Sequence, residues 1–388
     1  MHVAVCGPIS LELLESSGVG VFRSHGYPFP MTAHLVRAYL ARGHQVSVIT
    51  TATDISETVY CHGSEGLDVW IVPSRLRARD RALDFFADER SGVARAIREA
   101  APDVVHVHWT YEFALAARDV GLPRLVTVHD WAPAILRQMK DPYRFVRLVM
   151  QCNVLLNERN LSAPSEYVAN RVETWFRRRC RVVGNGIPLQ TFVDVSGRAH
   201  SNEVWSPKVG MLNATDDKTK NVRRALQAWG LVMNSFSEAE LQLAGSSFTE
   251  YGECAHWARA HGLDRGVRFV GALPPDAVPT WMGSLDVFLH PSLEESFGLV
   301  LCEAMAAGAV VVAGVRSGAV SDVVGAAGVL TDVRSAAAMS DAVIGLLASS
   351  SLRDRLIADG LDRCTKFDII NVADTYLELL NQTLKETP

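Results

Sequence analysis

The 388-residue chain has no excess of basic residues: 38 lysines and arginines face 43 acids, a formal charge of -5. Without a broad electropositive surface, no nucleic-acid partner is expected. Close cysteine pairs are missing too. The seven cysteines (Cys6, Cys61, Cys152, Cys180, Cys254, Cys302 and Cys364) are odd in number and scattered, which argues against a disulfide scaffold or a structural zinc site. No stretch reaches 18 uncharged apolar residues, so no spanning helix is expected. Met1–Gly7 passes straight into an apolar strand pattern, without the basic region, long apolar run and cleavage site of a leader. A cytoplasmic location is the expectation. Solenoid repeats and low-complexity tracts are absent from the sequence as well.

What remains is a globular composition, 48% hydrophobic and 21% charged, long enough for two domains. Val3–Cys6 reads as a buried strand, Met31–Arg42 as a helix stopped by Gly43, and Gln45–Thr50 as the next strand. Strand patterns recur at 67–72, 104–108 and 125–129, with a helix at 87–100. After the turn-forming Asn185-Gly-Ile-Pro188 the rhythm restarts, with strands at 208–212, 241–244, 267–270, 287–289, 309–313 and 328–330. Helices fit 221–231, 254–260, 300–307 and 335–349, and a last helical stretch spans about 372–384. This alternation predicts an α/β protein with two Rossmann-like wound parallel-sheet domains. Ligands of such sheets lie beyond the carboxyl ends of the strands, so a cleft between the domains is the expected site.

The most informative segment is His290-Pro-Ser-Leu-Glu-Glu-Ser-Phe-Gly-Leu-Val-Leu-Cys-Glu-Ala-Met-Ala-Ala-Gly308. Glu295 stands just before a predicted helix and Glu303 inside it. Amides at the start of that helix suit a diphosphate, and Gly298 permits close approach of its backbone. An acid beside the same phosphates would repel them, so Glu295 is better placed against sugar hydroxyls and Glu303 against ribose hydroxyls. A solvent-facing helix start carrying dipole-favoured acids explains the same spacing equally well.

The segment resembles family 4 of the retaining glycosyltransferases, which have GT-B architecture. Glu295 and Glu303 match that family's two acids, and Pro291, Ser292, Phe297, Gly298, Ala304, Met305 and Gly308 match the surrounding pattern. The resemblance implies transfer of a hexose-like or amino-sugar unit from a nucleoside diphosphate sugar to a hydroxyl acceptor, a small molecule or lipid-linked glycan. It implies retention through an oxocarbenium-like state, with the donor as substrate and neither cofactor nor metal. Glu295 is then a catalytic residue touching the transferred sugar, Glu303 holds the ribose, and the amides around Phe297, Gly298 and Leu299 face the diphosphate. His129, in Thr127-Val-His-Asp130, matches a histidine near the reacting sugar, and Asp130 would orient its ring or cap the next segment. Phe269-Val-Gly271 resembles the turn that meets the nucleotide base, with Gly271 at its end.

The implied domains are 1–186, binding the acceptor, 187–365, binding the nucleotide sugar, and a helical tail, 366–388, crossing back. Two departures are informative. Relatives carry a Gly-Arg after the first strand of the second domain, where this chain has Gly210-Met211. Lys220 is the best replacement for the phosphate-binding cation, and Lys218 is the runner-up; a cation there would stabilise the leaving diphosphate. In the amino-terminal glycine loop, which in the family lies near the acceptor and the phosphate, Gly26 is the ligand-binding glycine, but Tyr27 stands in place of the second glycine and alters the acceptor pocket. A hydrolysing epimerase, a nucleotide-sugar phosphorylase or a catalytically weak nucleotide-sugar-binding protein are the competing readings. Arg75, Arg77, Arg79 and Arg81, with Arg177–Arg179, leave room for a weak peripheral membrane contact.

Overall fold

The computed structural model describes residues 1–17, 28–64, 66–196 and 205–386. Gly26 and Tyr27 lie outside them. The chain divides into two compact units, residues 1–186 with 369–388, and residues 187–368.

The first unit is built on the strands β1 (His2–Cys6), β2 (Gln45–Ala52), β3 (Val59–His62), β4 (Leu67–Pro73), β5 (Val104–His108), β6 (Arg124–Thr127), β7 (Leu161–Ala163) and β8 (Arg181–Val182). Their order across the sheet is β3-β4-β2-β1-β5-β6-β7-β8, parallel except for the edge strand β3. Strands β1, β4 and β5 are valine-rich and buried on both faces, as a sheet covered by helices requires, with Asp68, His106 and His108 as buried polar exceptions. The helix Ile369–Glu386 belongs to this unit although it ends the chain. It buries Val372, Ala373, Tyr376, Leu377 and Leu380, and Arg42 pairs with Asp374 and donates to the Ile370 carbonyl at 2.8 Å.

The second unit holds β9 (Lys208–Leu212), β10 (Glu240–Ala244), β11 (Val267–Gly271), β12 (Val287–His290), β13 (Val310–Gly314) and β14 (Gly328–Thr331). All run parallel in the order β11-β10-β9-β12-β13-β14. The direction of winding reverses between β9 and β12, and the loops leaving their carboxyl ends flank the crevice that a wound sheet offers a ligand. In the first unit the reversal falls between β1 and β5.

Candidate active site

At the reversal point of the second unit, two loops are bonded together. The Leu293 amide donates to the Thr219 carbonyl at 2.7 Å, and the Asn221 side chain donates to the carbonyls of Pro291 (3.2 Å) and Val333 (2.8 Å). Asp217 shapes the first loop: its carboxylate accepts from the Thr219 amide at 2.8 Å, the Lys220 amide at 3.3 Å and the Thr215 hydroxyl at 2.8 Å. This fold-back aims Lys220 at the second loop. Its Nζ donates to Glu295 Oε1 at 2.7 Å, while Lys218 is exposed.

Glu295 Oε1 also accepts from His290 Nε2 at 3.1 Å. Burial works against the charge of Glu295, but the adjacent Lys220 and the His290 hydrogen bond outweigh it and hold the carboxyl well below the usual carboxylate range. His290 ends β12 and is buried; with a proton on Nε2, its Nδ1 has no hydrogen-bond partner among the described residues. A third loop fixes the backbone of Glu295. The Ala319 amide donates to the Glu295 carbonyl at 2.9 Å, and a Cβ on Gly318, whose φ is +66°, would stand 2.2 Å from that oxygen.

Gly298 precedes the helix Leu299–Ala306 with φ +92°, a left-handed conformation that costs glycine little. The Leu301 amide donates to the Gly298 carbonyl at 2.9 Å, and the amides ahead of it stand at a helix start, where no intrahelical acceptor is on offer. Phe297 contributes backbone only, for its ring is buried edge-on against Phe367, centroids 5.3 Å apart. Glu303 lies on the second turn, half-buried, and burial pushes its carboxyl up to about 7. It forms no ion pair among the described residues. Gly271 closes β11, donating to the Phe248 carbonyl at 2.9 Å and accepting from the Gly245 amide at 2.7 Å. A separate cavity of about 400 Å³ opens between the loops after β9 and β10, beside Asp216, Ser247, Thr249 and Cys254. None of the site residues expected from the sequence lines it.

In the first unit, β6 stops at Thr127, so His129 lies two residues beyond the strand rather than at its end. Its partner is His108, not Asp130. His108 Nδ1 and His129 Nε2 are 2.8 Å apart, and the rings stack at 5.0 Å. Asp130 neither orients that ring nor caps the next helix, which Trp131 precedes without a side-chain cap; it accepts from the Tyr111 hydroxyl at 2.7 Å and from Gln151 at 3.3 Å. Burial, reinforced by neighbouring histidines, takes His106 and His129 far below the ordinary imidazole range, and burial alone takes His108 down to about 3. Three neutral histidines result, and the outer nitrogens His108 Nε2 and His129 Nδ1 are buried without partners among the described residues.

Sequence reasoning passed over His290 and His108 as site residues. The only local signal for either is its position as the last residue of a buried strand. Among the described residues, no group of three histidines, cysteines or acids is placed to hold a metal ion.

Two family models match the chain, Glycosyltransferase Family 4 over residues 31–191 and Glycosyl transferases group 1 over residues 206–349. The chain is 30% identical over 287 residues to a phosphatidyl-myo-inositol mannosyltransferase of Propionibacterium freudenreichii subsp. shermanii, covering 70% of this chain and 69% of that protein. A protein of the same name from Mycobacterium leprae is 31% identical over 186 residues, 45% of this chain; the match spans about half of that relative, 47%. The solved structure of a sucrose-phosphate synthase from Thermosynechococcus elongatus has a TM-score of 0.78 at 18% identity, covering 99% of both chains, a likeness of fold.

Proposed function

Because the chain belongs to the family 4 glycosyltransferases, of GT-B fold, we propose that it transfers a sugar from a nucleoside diphosphate donor to a hydroxyl acceptor with retention of configuration. The observation that carries this reading is the Lys220–Glu295–His290 cluster beside the glycine-opened helix at the winding reversal of the second unit.

Lys220 and the amides from Gly298 to Val300 take the diphosphate. Before the donor binds, Glu295 holds the lysine in place; when the phosphates arrive, the ammonium bridges carboxylate and anion. The developing charge of the leaving group then meets a cation already oriented, which is how pre-placed charge lowers a barrier. Glu295, kept ionised, accepts from hydroxyls of the transferred sugar through its remaining lone pairs. Glu303 accepts from the ribose, and Gly271 lies by the base. In the first unit, His129 serves the reacting sugar or the acceptor, with His108 fixing which ring nitrogen of His129 carries the proton. Departure and attack occur on the same face of the sugar, through an oxocarbenium-like state.

The names of the relatives point to mannose as the first sugar to try and to an inositol-bearing hydroxyl as the first acceptor. The test is native mass spectrometry with uridine, guanosine, adenosine and thymidine diphosphate sugars, then turnover with inositol-bearing and pooled metabolite acceptors. One preferred nucleotide with transfer is expected. No binding across the donor panel would overturn the reading.

A further inference from the structure

The helix Pro142–Asn157 of the first unit turns an apolar side outward. Its buried positions are Met150, Gln151, Val154 and Leu155, yet Phe145 is 57% exposed, Leu156 is 56% exposed, and Val149 lies exposed between them. With half-buried Cys152, these residues follow one another at steps of four, three and four, a single stripe of a helix about 16 Å long.

Parts of both arginine clusters noted in the sequence flank this stripe, for Arg75 is held by Asp84 and Glu89 and Arg81 by Ser74. The helix Ala78–Leu83 packs beside it, carrying Arg79 and the exposed Leu83. At the other end, the Arg178 guanidinium donates to the Leu156 carbonyl at 2.6 Å, which brings Arg177, Arg179 and the exposed Trp175 alongside. The local acids are matched: Asp80 stands 3.7 Å from Arg79, Asp141 3.9 Å from Arg144 and Glu173 3.7 Å from Arg179. Arg77, Arg177 and Arg178 form no ion pair among the described residues, so the rim is positive on a chain whose net charge is -5.

We propose that this face is a peripheral docking surface for an anionic lipid bilayer. Phe145, Val149, Leu156 and Trp175 enter the interface, and arginines at both ends of the stripe meet the headgroups. Separate bulky side chains standing along one exposed helix suit a fluid apolar boundary, and the positive rim selects an anionic one. The surface goes beyond the transfer reaction and shares no residue with the proposed donor site.

The test is flotation of the full chain with vesicles of phosphatidylcholine alone, or with one third phosphatidylglycerol. The chain should float with the anionic vesicles only, and less so as salt is raised. Phe145→Ser with Leu156→Ser, and separately Arg177→Gln with Arg179→Gln, should each reduce the bound fraction about tenfold while keeping the melting temperature and nucleotide affinity of the parent. Failure of the intact chain to float with anionic vesicles at low salt would overturn the proposal, as would variants that float like the parent. So would a result in which the apolar double variant abolishes self-association of a chain that never binds vesicles, because the stripe would then be a contact between protein copies.

Discussion

Glu295 occupies an unusual electrostatic position, a half-buried carboxylate whose one oxygen serves both a lysine and a histidine. If its charge organises the donor site, Glu295→Gln should cut turnover by about 10 to 1,000-fold, equivalent to about 1.4 to 4 kcal/mol of barrier. Unchanged kcat at saturating donor would remove it from the mechanism. Glu303 lies at the opposite extreme, with burial holding its carboxyl protonated up to about 7. A ribose diol needs the ionised acceptor, so nucleotide affinity should rise about tenfold from pH 6 to pH 8, and Glu303→Gln should flatten that profile in calorimetric titrations. For folding the direction reverses. The unfolded carboxyl ionises near 4.5 while the folded one stays protonated to about 7, so the parent should lose stability relative to Glu303→Gln as pH climbs through that window, and the gap should then stay constant. The two acids and Lys220 were legible because the motif and a lysine at a helix start are local patterns. His290 and His108 were not, because their meaning comes from the partners that folding brings to their rings.

Three loops at strand ends make the site, and they are coupled through the backbone of Glu295. The loop after β13 has no slack there: Gly318 holds φ +66° with its missing Cβ directed at the Glu295 carbonyl. Gly318→Ala should therefore destabilise the second unit by about 1 to 3 kcal/mol and reduce donor affinity by displacing Glu295. A melting curve and a donor binding isotherm on the same sample check both effects, and an unchanged isotherm would separate this loop from the site. At this scale most strands were read well, since buried parallel strands announce themselves as continuous apolar runs; β13 was expected at 309–313 and lies at Val310–Gly314. The missed strands are too short to show a period, whereas the helices Glu112–Val120 and Glu166–Phe176 are amphipathic and were simply passed over. Strand β3 is a short edge strand whose residues are exposed or half-buried. The helix Pro142–Asn157 was passed over although Asp141, capping the Arg144 amide at 2.8 Å, and Pro142 mark its start. The strand leading to His129 was read two residues too long because Val126, Thr127 and Val128 continue the alternating pattern past the point where pairing ends.

Across the whole molecule, the arrangement of cores matters more than any single contact. One hydrophobic cluster draws only on the first unit, from Ala4 to Val172, while two others draw only on residues between Ile187 and Phe367. Each unit thus has the means to unfold as its own cooperative block. Calorimetry of the full chain should resolve two transitions. A nucleotide diphosphate bound by the second unit should raise the one belonging to residues 187–368, by about 2.7 kcal/mol at a hundredfold excess over Kd, and Glu303→Gln should weaken that response. The first unit contains the other informative element, its carboxyl-terminal helix. Tyr376 packs on the His106 ring at 4.6 Å, and the same helix covers β5 and β6 beneath it. Removing residues 369–388 would expose that buried face and orphan Arg42 from Asp374, so truncation after Asp368 should lower or abolish the transition of the amino-terminal unit while leaving the nucleotide-sensitive one in place. The reverse result, loss of the nucleotide-sensitive transition alone, would mean that the terminal helix supports the donor-binding unit instead.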